Sequence, residues 1–104
     1  MLNSISKEIF KEIIELSETN LANNQVPIAA IIYDYRNKKI VSKAVNNDSP
    51  IGHAELEAIR EALKLKNTNR LDDCDIYVSI EPCLMCATAI SKCHIRRVYF
   101  GAED

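Results

Sequence analysis

Excess positive charge, long apolar runs and leader-like segments are all missing from this sequence of 104 residues. Its 13 lysines and arginines stand against 15 acidic residues, a net charge of −2 with a sequence pI of about 5.7. No global basic field advertises a nucleic-acid partner. No apolar run approaches the roughly 18 residues of a membrane span. The start, Met1-Leu-Asn-Ser-Ile-Ser-Lys7, has neither the cationic leader nor the apolar core of a signal peptide. A cytoplasmic protein without membrane contact is expected. Two glycines and three prolines leave no linker, and there is no repeat or low-complexity tract. Residues 1–104 are expected to form one domain, because the length supports a single core but not two.

What is present begins with the order of elements. The first helix is predicted over residues 6–21, with Ser6 as N-cap, Ile9, Ile13 and Leu16 on one face, and Phe10 and Ile14 beside them. The polar run Asn20, Asn23, Asn24, Gln25 ends it. Residues 28–33 form a continuous apolar stretch suited to a central strand buried on both faces. After a turn at 34–38, residues 39–45 alternate as the second strand of a hairpin. Residues 46–52 read as loop and 53–66 as a helix, with Ile59, Ala62 and Leu63 inward and Glu57, Arg60, Glu61 and Lys64 toward water. Ile76, Val78 and Ile80 alternate with Tyr77 and Ser79, a third strand. Pro82 suits the first turn of a third helix over 82–92, where its missing N–H is not needed. Residues 95–100 make the fourth strand. This order predicts an α/β fold, a three-layer α/β/α sandwich with a mixed sheet. Right-handed crossovers make strands two, three and four parallel.

Four cysteines in a chain without a secretion signal point away from disulfides. A Cys-x-x-Cys pair with a histidine upstream is more readily a metal site. Cys74 and Cys93 then read as small buried apolar side chains. His53 and Cys83, thirty positions apart, both stand where a helix follows a strand, the end of a parallel sheet where α/β proteins place their sites. Cys83 and Cys86, three apart, present their sulfurs on one helix face. Helix N-termini favour thiolates there. His53, Cys83 and Cys86 make three ligands, which leaves a tetrahedral zinc ion one open position, as in catalytic sites. Glu55 lies four, seven and eight positions before Ile59, Ala62 and Leu63, so it shares their inward face. A carboxylate there needs a partner, because an unpaired buried charge is costly. A water activated by zinc is such a partner, and Glu55 can move its proton. A lone Pro-Cys-x-x-Cys would be equally compatible with structural zinc or redox chemistry. A lone first-turn Glu would be explained by the helix dipole.

Together, His53-Ala54-Glu55 and Pro82-Cys83-Leu84-Met85-Cys86 form the His-x-Glu…Pro-Cys-x-x-Cys signature of zinc deaminases. On these residues, and on Val26-Pro-Ile-Ala-Ala-Ile-Ile32, Asn46, Ile76-Tyr-Val-Ser-Ile80 and Val98-Tyr-Phe-Gly-Ala-Glu-Asp104, the chain resembles the cytidine deaminase-like superfamily. Within it, the chain is most similar to the bacterial tRNA-specific adenosine deaminases. The resemblance implies one zinc ion per chain on His53, Cys83 and Cys86, with Glu55 as proton shuttle. It implies that Asn46 hydrogen-bonds the target base, and that the Ala54 backbone with Val26, Pro27 and Ile28 lines the base pocket. It further implies conversion of the wobble adenosine in a tRNA anticodon arm to inosine, within a homodimer.

Some features depart from that pattern. Ala29 stands where the family usually has glycine, which places an extra methyl at the expected pocket floor. The loop 46–52 is short, which leaves Asn47 as an alternative to Asn46. The sequence stops where relatives continue into another helix, so the domain is expected to lack that helix and to leave strand four uncovered. Arg96 and Arg97 fall at the far end of the sheet from the inferred site, whereas Glu103 and Asp104 fall near its mouth; neither pair helps a phosphate backbone approach. Tyr33, Tyr77, Tyr99 and Phe100 read mainly as core. Leu71-Asp-Asp-Cys74 also resembles guanine deaminases. The rival readings are therefore a guanine, cytosine or nucleotide deaminase, and an inactive zinc-stabilised remnant in which Cys93 or His94 supplies a fourth ligand.

Overall fold

Asn3 begins the first helix. Its side-chain oxygen accepts the Ser6 N–H at 2.8 Å, an N-cap that satisfies a first-turn donor otherwise left unpaired. Helix α1 (Ser4–Ala22) therefore starts ahead of the predicted boundary. Ser6, expected as the cap, is instead buried, its hydroxyl 2.9 Å from that of Tyr77. That partner is 71 residues away, beyond the reach of any local pattern.

The structure, a computed structural model, describes residues 3–101. After α1 come β1 (Ala29–Asp34), β2 (Lys39–Val45), α2 (Ala54–Lys66), β3 (Cys74–Val78), α3 (Leu84–Lys92) and β4 (Arg97–Phe100). The sheet order is β2-β1-β3-β4; β1 is antiparallel to both neighbours, and β3 is parallel to β4. β2, β3 and β4 thus share one direction, as expected. Every β1 residue is buried, which is why its sequence does not alternate. Ile9 and Ile13 of α1 pack on Ile31 and Tyr77 on one face of the sheet. Ala54, Ala58 and Ala62 of α2 and Ile90 of α3 pack on Ile32, Ile76 and Val78 on the other. The architecture is the expected three-layer α/β/α sandwich with a mixed sheet. β4 forms one outer edge, with Val98 and Phe100 exposed.

Other boundaries moved for tertiary reasons. β3 begins at Cys74, earlier than the alternation of Ile76, Val78 and Ile80 suggests. Its charged second residue, Asp75, tolerates burial because Arg96 grips both carboxylate oxygens, at 2.9 and 2.7 Å. At its other end the Ser79 hydroxyl accepts the Ala29 N–H at 3.1 Å, and Ile80 lies beyond the strand. Pro82 does not open α3. Cys83 is the N-cap, its carbonyl accepting the Ala87 N–H at 2.8 Å. β4 starts at Arg97 after His94, at φ 60°, has turned the chain out of α3.

Candidate active site

His53 and Cys83 hold equivalent places, each the N-cap of its helix with extended backbone (ψ 143° and 173°). Neither side chain caps its own helix; instead the two meet across the starts of α2 and α3. Cys86, in the first turn of α3, is fully buried. His53 Nδ1 lies 3.6 Å from Cys83 Sγ and 3.4 Å from Cys86 Sγ, and the three donor atoms are all within 4.8 Å of one another. Bonds of about 2.3 Å to sulfur and about 2.0 Å to nitrogen at a tetrahedral angle separate sulfur from nitrogen by about 3.5 Å. These edges therefore fit a tetrahedral zinc ion with one vertex left over. Among the described residues, Cys93 and His94 do not join the cluster; Cys93 is the C-cap at the opposite end of α3.

Glu55 sits in the first turn of α2, 3% exposed, on the inward face with Ile59 and Ala62. Burial is the main cause raising the Cys86 thiol above its ordinary pKa, and the nearby Glu55 carboxylate is the next. Two thiols, an imidazole and a buried carboxylate form a site without a positive side chain of its own. A divalent cation held there would supply the missing charge, to which the N-termini of α2 and α3 add. The donor chemistry therefore fits zinc as well as the distances do.

The residues expected to line a base pocket are linked by one run of hydrogen bonds. The Ile28 N–H donates to the Val26 carbonyl across Pro27 at 2.8 Å, and the Asn46 N–H donates to the Ile28 carbonyl at 3.1 Å. Asn46 Oδ1 accepts the Ala54 N–H at 3.0 Å, next to Glu55. An N–H can meet only the oxygen of that amide, so Nδ2 remains as the donor. Asn47, the alternative, is exposed and turned onto its own loop, accepting the Ser49 N–H at 2.9 Å. The short loop does not part Asn46 from Ala54. Nor does the Ala29 methyl crowd a pocket floor: Ala29 packs with Ile9 and Ile13 under α1, on the other face of the sheet.

The remaining sequence candidates lie elsewhere. Arg96 and Arg97 are at the opposite end of β3 and β4, where the Arg96 guanidinium stands 3.7 Å over the Tyr35 ring. Tyr33 and Tyr77 are buried, and Tyr99 stacks on Tyr77 with ring centroids 4.6 Å apart. Cys74 is buried, which pushes its thiol up to about 12; Cys93 packs against the same core. Glu103 and Asp104 lie outside the described residues. Asn20, by sequence part of a polar helix end, is buried. Its spacing from Ile9, Ile13 and Leu16 places it on their face, a signal that its polarity masked.

The family profile described as the cytidine and deoxycytidylate deaminase zinc-binding region matches residues 3–102. The chain is 41% identical over 98 residues to a tRNA-specific adenosine deaminase of Rickettsia bellii, covering 90% of this chain and 68% of that relative. A structure from a study of A-to-I editing by tRNA:A34 deaminases superposes with TM-score 0.87 at 31% identity, covering 94% of this chain and 72% of the other. A guanine deaminase from Bacillus subtilis superposes with TM-score 0.88 at 32% identity, over 98% of this chain and 66% of that one. The chain spans between 59% and 68% of the length of the first four curated relatives it matches. With ligand geometry and sequence similarity agreeing over nearly its whole length, the chain belongs to the cytidine and deoxycytidylate deaminase zinc-binding family.

Proposed function

We propose that this chain is a zinc-dependent hydrolytic deaminase whose substrate is the wobble adenosine of a tRNA anticodon, converted to inosine with release of ammonia. The observation that carries the reading is the buried Glu55 carboxylate beside Cys86 in a cluster of three donors. His53, Cys83 and Cys86 hold the metal. When bound, zinc supplies a Lewis acid that lowers the pKa of water in its neighbourhood. Glu55 accepts a proton from the attacking water and passes it to the base, where the amino group departs as ammonia. Asn46 Nδ2 donates to the base edge, and Val26, Pro27, Ile28 and the Ala54 backbone enclose it. Similarity to proteins named tRNA-specific adenosine deaminases supports the RNA substrate. We further propose a cytoplasmic homodimer. Leu84 and Met85, exposed beside the metal cluster, offer apolar surface for that contact. No helix among the described residues is long and apolar enough to cross a membrane.

A second reading, deamination of free guanine, is favoured by the close superposition on the Bacillus subtilis guanine deaminase. One assay separates the two. Zinc-loaded protein is incubated with an anticodon stem-loop carrying the wobble adenosine, and separately with guanine, and inosine and ammonia are measured. Inosine from the RNA is the expected result. Ammonia from guanine alone would replace the tRNA assignment. Zinc bound with no turnover of either substrate would reduce the protein to a zinc-stabilised module.

A further inference from the structure

Asn20 occupies the last turn of α1 and is 6% exposed. Its Nδ2 donates to two backbone carbonyls from separate segments, that of Val26 at 2.6 Å and that of Asn46 at 3.2 Å. Its own carbonyl accepts the Asn23 and Gln25 N–H groups at 3.1 and 3.0 Å, turning the chain from α1 toward Val26. With the bonds from Ile28 to Val26 and from Asn46 to Ile28, these contacts close a ring through Asn20, Val26, Ile28 and Asn46. A branch from the ring runs through the Asn46 side chain to the Ala54 N–H, beside Glu55.

We propose that Asn20 is a positioning residue for the substrate pocket, tying the Val26–Ile28 wall to Asn46 so that Asn46 presents its oxygen to Ala54 and its nitrogen to a base. The substrate role rests on the deaminase reading; the tie itself does not. An amide nitrogen suits the task because it offers two N–H donors from one planar group to two acceptors. Alanine at this position offers none. Aspartate sets a carboxylate against two carbonyl oxygens, taking from that of Asn46 its Asn20 donor and leaving that of Val26 only the Ile28 N–H. Asn20 acts through Asn46 and Val26 and touches none of the reacting atoms in this scheme.

The test uses the zinc-loaded full chain with Asn20→Asp and, as the milder change, Asn20→Ala. Amide hydrogen exchange is followed by NMR at Asn46 and Ala54, with Ile76 and Val78 in β3 as internal controls. Exchange at Asn46 and Ala54 should quicken roughly tenfold while the β3 controls hold, the size expected for loss of one or two buried hydrogen bonds. On the stem-loop RNA, KM should rise about tenfold with kcat within about twofold, because Glu55 and the metal ligands stay in place. Unchanged exchange at both positions overturns the tie. Faster exchange across β3 as well, with KM unchanged, assigns Asn20 to general stability and also overturns it. Should the unaltered chain turn over neither RNA nor guanine, the deaminase reading fails, and the local exchange pattern alone decides for or against the tie. If the aspartate variant does not fold, the alanine variant supplies the same readouts.

Discussion

Glu55 and Cys86 both sit in the apolar interior, and opposite consequences follow from altering them. Glu55→Gln keeps the shape and removes only the ability to exchange a proton. Zinc should remain at one per chain while deamination falls by about 10²- to 10⁴-fold, the usual contribution of a positioned acid–base group. Metal analysis beside single-turnover inosine formation checks this, and turnover near the unaltered rate would end the shuttle role. Cys86→Ala removes a fully buried donor. Metal binding and folding are coupled, so this variant should lose zinc and melt at a lower temperature. Chelation of the unaltered chain should lower its melting temperature in the same direction. A Cys86→Ala protein as stable and as zinc-rich as its parent would mean that the cluster does not hold the ion.

The loop that delivers His53 to α2 is built around a glycine. A Cβ on Gly52 would come within 1.6 Å of Asn47 Oδ1, so Gly52→Ala must drive the Asn47 side chain off the loop. The lost contact is the bond from the Ser49 N–H to Asn47 Oδ1. The expected cost is about 1 kcal/mol of stability, the net worth of one such hydrogen bond, with weaker zinc binding because His53 follows directly. A double-mutant cycle with Asn47→Ala isolates the cause. Once Asn47 is alanine, adding Gly52→Ala should cost little more. Strictly additive costs would show that the clash is not the reason for a glycine there.

Far from the metal, Lys66 at the end of α2 bonds Asp34 and Asp73, each at 2.8 Å. Burial alone would raise the Asp34 carboxyl, but bonds from Lys66 and Asn37 hold it well below the usual carboxylate range. Its contribution is therefore present above an unfolded value of about 3.9 and is lost as pH falls through the depressed folded value. Lys66 runs the other way. Hydrogen bonds to Asp34 and Asp73 raise it, so its contribution is intact below about 10.4 and disappears only at higher pH. Lys66→Met should consequently move the onset of acid unfolding to higher pH and lower stability at neutrality. An acid titration followed by circular dichroism checks both, and an unmoved acid limb would remove Lys66 from the account.

The three-donor cluster was legible along the chain because spacing and helix starts carry it. His53, Cys83 and Cys86 need only three side chains at the heads of two helices, and Glu55 declares itself by lying in register with Ile59 and Ala62. The order of elements and the common direction of β2, β3 and β4 were legible for the same reason, since hydrophobic periodicity and crossover handedness are local rules. Tertiary structure alone supplied the partners that let other polar groups be buried. Ser6 needed Tyr77, Asp75 needed Arg96, and Asn20 needed Val26 and Asn46. It alone bonded Asn46 to Ala54 and Asn47 to its own loop, and turned Ala29 toward α1. A buried polar atom is tolerated only when a partner reaches it, and those partners stand up to 71 residues away, where no pattern along the chain records them.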